Sequence, residues 1–138
     1  MQESWNTPAI YENLNGANEL AISIEGRILG FNPGDGTQLW SCQSIKDYIC
    51  PSIVAHDGIL FALGGRKSKI VAVRSGGSGD VTESHRLWEL GKGSNVSSPV
   101  IHGNHIYWAK ESGIVSCANI ETGELIFEQR LKPASYGP

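Results

Sequence analysis

The sequence predicts an all-β protein made of three copies of a four-stranded antiparallel unit. Three observations lead there: dense turn punctuation, landmark residues repeated at equal intervals, and hairpin dipeptides set between short alternating runs. Glycine occupies 17 of the 138 positions and proline six. That density leaves little room for long helices and suits many short strands.

The landmarks are prolines and aromatics. Pro8, Pro51 and Pro99 open the three copies in TPAI, CPSIV and SPVI, and Trp40, Trp88 and Phe127 close them in GTQLW, SHRLW and GELIF. Trp40 to Pro51 and Trp88 to Pro99 are both 11 residues, and 11 residues beyond Phe127 lies Pro138. Gly26 to Trp40 and Gly113 to Phe127 are both 14 residues. The repeats span approximately 5–48, 49–96 and 97–136, with a further one starting at 137–138, and the period of 39 to 48 residues is that of a four-stranded propeller blade. The whole chain, 1–138, is thus one propeller segment of three blades. A closed ring needs at least about four, so the expectation is a piece of a longer protein.

In the middle copy the strands are expected at Ser52–Ala55, Ile59–Leu63, Ile70–Val73 and Leu87–Leu90. In the third they are Val100–His102, His105–Ala109, Ile114–Ala118 and Leu125–Gln129. The first two strands of each copy meet at Asp57-Gly58 and Gly103-Asn104, dipeptides that accept the positive φ of primed hairpin turns. Third and fourth strands meet at Asp35-Gly36-Thr37 and Thr122-Gly123-Glu124. The middle copy carries about six additional residues in Ser75-Gly-Gly-Ser-Gly-Asp80, expected as a flexible surface loop. The closing aromatic on each outer strand is expected to lie between neighbouring blades, since a large flat ring buries roughly 150–250 Å². Trp40, Trp88 and Phe127 are therefore structural residues, as are Pro8, Pro51, Pro99, Gly113, Thr122 and Gly123.

The phrases GIVSCANIETGELIF and GRILGFNPGDGTQLW resemble the repeat of the pyrroloquinoline-quinone-like, quinoprotein-type β-propellers. The stretches ALGGRKSKIVAVRSGGSGDVTESHRLW and KGSNVSSPVIHGNHIYW are similar to a bacterial subgroup that resembles the propeller of an outer-membrane assembly lipoprotein. The resemblance implies a quinoprotein-like ring of the broad WD40/YVTN type, a parent protein exported to the periplasm or outer membrane, and a role in binding rather than chemistry. Fold does not fix function, so two other readings stay open. One is part of a quinoprotein dehydrogenase whose active site lies in other blades; the other is a sensor propeller attached to a serine/threonine kinase.

The residues give catalysis no support. The enzymes that the resemblance brings in hold quinone and Ca²⁺ on the ring axis and often carry adjacent cysteines. Here Cys42, Cys50 and Cys117 are separated and Glu25, Glu111 and Glu121 sit in turn-like positions. No pyrroloquinoline quinone, Ca²⁺ or other cofactor is expected. The cysteines are expected as buried or half-buried thiols, and an exported parent would let Cys42 and Cys50 oxidise. His102 and His105 flank a hairpin turn, but no third metal ligand is announced. Gly76 to Thr82 lacks the Gly-Lys-Ser/Thr of a phosphate loop.

Net charge is −3 with a pI near 5.8, which offers no general field for nucleic acid. No apolar run approaches the roughly 18–20 residues of a membrane span. Binding is then expected in the loops between second and third strands and between blades. Arg66 and Lys67 in the run RKSK, Asn95 and Glu111 are the candidate residues. The partner would be a protein or the parent's remaining blades, with self-association through open blade faces.

Overall fold

The computed structural model describes residues 5–132 and contains three antiparallel sheets in sequence order. The first is built from β1 (Ala9–Glu12), β2 (Asn18–Ile24), β3 (Arg27–Phe31) and β4 (Gln38–Gln43). The second uses β5 (Val54–His56), β6 (Ile59–Gly64), β7 (Lys69–Arg74) and β9 (Arg86–Leu90). The third is β10 (Val100–His102), β11 (His105–Lys110), β12 (Ile114–Asn119) and β13 (Leu125–Arg130). Each is a meander in which every strand pairs with the next of its own repeat. The expected further repeat at 137–138, the interval to Pro138 and the end of the third repeat lie outside the described residues.

Local chemistry explains the meander. Between β5 and β6, Asp57 and Gly58 both take positive φ, 49° and 73°, the conformation of a type I′ turn whose twist matches the strands it joins. The β6 and β7 strands, ILFALG and KIVAVR, are buried on both faces, and their side chains alternate between two cores. Leu60, Ala62, Val71 and Val73 pack with the first sheet around Trp40, and Phe61, Leu63, Ile70 and Ala72 pack with the third around Trp108 and Ile120. The sheets are therefore stacked face on face as successive blades.

The closing aromatics form the joints. Trp40 is fully buried and lies over Gly30 of β3, where a Cβ would sit 2.2 Å from the indole. Trp88 crosses to the next blade: its Nε1 donates to the Ile120 carbonyl at 2.9 Å, and a Cβ on Gly123 would lie 2.6 Å from its ring. Phe61 meets Trp88 from behind at 5.9 Å. Phe127 faces no further blade here and stays 42% exposed. Pro51 and Pro99 are buried, whereas Pro8 is exposed just before β1.

The insertion departs from expectation. Residues 77–80 are exposed, yet Gly79–Asp80 forms a short strand, β8, that pairs in parallel with Trp40 and Ser41 of β4. The Val81 N–H donates to the Ser41 carbonyl at 2.8 Å, and the buried Val81 side chain enters the core of the first blade. A one-turn helix, α1 (Thr82–His85), then leads into β9. The segment is a strap that makes the first sheet five-stranded and covers its outer edge, the position where unpaired backbone otherwise invites association.

The strap is pinned from inside by Glu19, which is 4% exposed. Its Oε1 accepts hydrogen bonds from Tyr11 Oη at 2.7 Å, Trp40 Nε1 at 3.1 Å and the Gly76 N–H at 3.2 Å, and its Oε2 from Asn13 Nδ2 at 3.1 Å. A buried carboxylate needs such donors to offset desolvation. Burial, and then the bond to Glu19, push the Tyr11 phenol far above its ordinary range.

Candidate functional site

At one end of the stack lie the turns between second and third strands and the connections between blades. Three of these segments are tied by backbone. The Gly65 N–H donates to the Tyr48 carbonyl at 3.0 Å and the Gly93 N–H to the Ser68 carbonyl at 2.5 Å. A Cβ on Gly93 would lie 2.5 Å from the Lys69 carbonyl oxygen, so only glycine permits that approach. Trp108 Nε1 donates to the Lys92 carbonyl at 2.8 Å and holds the 91–99 connection down on the third blade.

Side chains are arranged on this frame. Asp47 accepts the Arg66 N–H through Oδ2 and the Tyr48 N–H through Oδ1, both at 2.8 Å, and its Oδ1 lies 3.7 Å from the Arg66 guanidinium. The Arg66 N–H bond, then that of Tyr48, holds its carboxyl below the ordinary range. The Arg66 guanidinium sits over the Tyr48 ring at 5.7 Å, a cation–π contact. Asn95 Nδ2 donates to Tyr48 Oη at 3.2 Å. Glu111 Oε1 accepts from Ser94 Oγ at 2.9 Å, Val96 N at 3.0 Å and Ser97 N at 3.4 Å. Partial burial pushes the Glu111 carboxyl up, but these donors outweigh it and its pKa lies below the ordinary value.

Between the first blade's exit and the 65–68 turn lies a groove of about 340 Å³ floored by Ile45, Gly64 and Gly65. Lys46, Arg66, Lys67 and Lys69 line it, with Asp47 as its carboxylate. A second hollow of about 310 Å³ shares Lys46 and Lys69 and adds Arg86 and Glu89. Glu89 is occupied by Lys69 Nζ at 3.0 Å and by Arg86. Among the described residues, Lys46 and Lys67 have no ion-pair partner. Five cations against two carboxylates make a positive patch on a chain whose net charge is −3. Such a patch attracts an anionic group and rejects a cationic one.

The four residues picked from sequence thus occupy one end of the stack. Arg66 and Lys67 line the groove, Asn95 joins Arg66 through Tyr48, and Glu111 is bonded to the 94–97 segment. Sequence reading missed Lys46, Asp47 and Tyr48, and held Lys69 only as the last residue of the RKSK run. The run Lys46-Asp47-Tyr48 inside an inter-blade connection was the available signal. His102 and His105 are a register pair across the β10–β11 turn, with the His105 ring 6.3 Å from Tyr107.

No family model matches this sequence, and no curated protein matches it. Solved structures do match in shape. BamB from Moraxella catarrhalis superposes with a TM-score of 0.67 at 16% identity, over 91% of this chain and 35% of that one. BBS1N, solved in complex with ARL6DN, gives 0.65 at 15% identity, over 91% of this chain and 40% of that one. The quinohemoprotein alcohol dehydrogenase ADHIIG from Pseudomonas putida HK5 gives 0.62 at 11% identity, over 92% and 20%. The fold is a partial β-propeller. The chain spans well under half the length of each of these three.

Proposed function

We propose that this chain is a non-catalytic binding segment of a β-propeller, and that its contact surface is the end carrying Arg66, Lys67, Asn95 and Glu111. The observation that supports this most is the groove: among the described residues Lys46 and Lys67 have no ion-pair partner, and they stand on a frame fixed by inter-blade hydrogen bonds. A rigid frame with unspent charge suits recognition, because little ordering entropy is lost on binding. The partner that fits is a protein presenting an acidic segment. That one structural neighbour was solved in complex with a protein is in keeping with this reading. No cofactor is part of it. Export of the parent is part of the same proposal, supported by the resemblance of the repeats to quinoprotein-type propellers.

The test is photo-cross-linking in cells of the source organism. A cross-linker at Lys67 should capture a protein that one at Asp57, in the turn between first and second strands, does not. Lys46→Glu with Lys69→Glu should abolish that capture, and raised salt should weaken it. Equal capture from both positions would contradict the proposal, as would dye-linked oxidation of alcohols by the purified chain.

A further inference from the structure

The joint between the second and third blades is a ring seated on a glycine turn: Trp88 over Gly123, its indole N–H donated to the Ile120 carbonyl. The same turn occurs in the first blade, and none of the described residues is seated on it. Asn32 N and Asn119 N donate to the Thr37 and Glu124 carbonyls at 2.8 and 2.9 Å. Gly36 N and Gly123 N close the turns onto the Asn32 and Asn119 carbonyls at 2.8 and 2.9 Å, with φ of 76° and 73°. A Cβ on Gly123 would strike Trp88, whereas one on Gly36 would meet nothing within 4 Å. The Pro33 carbonyl holds the place of the Ile120 carbonyl. Around this empty platform the first blade turns outward a row in register, Ile10, Leu20 and Phe31, of which Ile10 is 65% exposed.

The opposite end of the stack carries the matching half. Phe127 stands where Trp40 and Trp88 stand in the earlier blades, 42% exposed, with Tyr107 at 6.3 Å beside it and Val100, 64% exposed, on the same face. Trp40 at the same position is fully buried, in one core with Leu60, Ala62, Val71 and Val73 of the neighbouring blade.

We propose that a second copy of this chain completes the joint, Phe127 of one copy seating over Gly36 of the next. The two faces are the two sides of the interface that the molecule already makes between its second and third blades. The contact pairs unlike surfaces, so the copies associate head to tail, as a closed ring or an open chain.

Sedimentation velocity from micromolar to millimolar concentration tests this. Wild type should associate as concentration rises. Phe127→Glu and Ile10→Lys should each stay monomeric with unchanged melting curves, since both side chains are exposed. Mixing the two variants should restore a pair, because Phe127 of the Ile10→Lys chain and Gly36 of the Phe127→Glu chain are both intact. Phe127→Trp adds an indole N–H for the Pro33 carbonyl and should tighten association about two- to tenfold. A wild-type monomer at millimolar concentration would overturn the proposal. So would association that survives Phe127→Glu, or variants that fail to pair when mixed.

Discussion

Gly123→Ala and Gly36→Ala are a matched pair of perturbations. Both glycines sit in the same turn at nearly the same positive φ, so each alanine incurs the conformational cost of a left-handed residue, roughly 1–2 kcal/mol. At Gly36 nothing further is disturbed. At Gly123 the new methyl falls 2.6–2.8 Å from three Trp88 ring atoms, and the ring must lift. Lifting it breaks the hydrogen bond to the Ile120 carbonyl, worth about 0.5–1.5 kcal/mol. It also disturbs the contact with Phe61, where an aromatic pair contributes about 0.5–1.5 kcal/mol. Gly123→Ala should therefore cost about 1–3 kcal/mol more than Gly36→Ala, a further Tm loss of roughly 3–15 °C for a chain of this size. Urea and thermal unfolding followed by circular dichroism give both numbers. The Phe127→Glu background at low concentration keeps self-association out of the measurement. Equal losses, within about 0.5 kcal/mol, would refute the inter-blade role of Trp88.

Other consequences are open to direct measurement. Glu19→Gln places an amide among donors and should cost about 1–3 kcal/mol; amide exchange should quicken at Gly76 and Gly79–Val81, and unchanged exchange would mean the strap is held otherwise. Asp47 and Glu111 are held below the ordinary carboxylate range, so the unfolded chain binds their protons at higher pH than the folded one. Their stabilisation is complete above the unfolded pKa and is lost as pH falls through the folded value. Asp47→Asn should flatten that acid limb, and an unaltered slope would count against the Asp47 bonds. Cys50 is half-buried while Cys42 and Cys117 are buried, with burial pushing the Cys42 thiol up. Thiol titration of the reduced native protein should therefore find Cys50 reacting first and the other two only on unfolding; simultaneous reaction would contradict the packing.

What could be read from sequence was what repeats. The β10–β13 strands and the Asp57-Gly58 turn follow from alternation and dipeptide chemistry, which are local, and equal spacing carried Trp40 and Trp88 to their joints. The strap was not legible. Gly76 to Asp80 has a loop's composition, and only its pairing to β4, nearly forty residues earlier in the chain, makes it a strand. Glu19 was missed for a similar reason: an acid in an alternating strand reads as solvent-facing until its distant donors are known. At the candidate site the 66–69 run was visible as charge. Lys46 and Asp47 join it only because the Gly65 and Arg66 N–H groups draw that connection against the turn.

The four tryptophans offer the most direct test that these sheets are stacked blades joined at their closing aromatics. Indole N–H exchange, resolved by NMR with single Trp→Phe substitutions for assignment, reports each ring separately, and that of Trp88 reports the joint between the second and third blades. Trp40 Nε1 is bonded to Glu19, Trp88 Nε1 to the Ile120 carbonyl of the next blade, and Trp108 Nε1 to the Lys92 carbonyl, whereas the Trp5 side chain is 63% exposed. Three slow indole protons and one fast one, that of Trp5, are the predicted result. A Trp88 indole exchanging as fast as that of Trp5 would mean that the second and third blades are not joined as described.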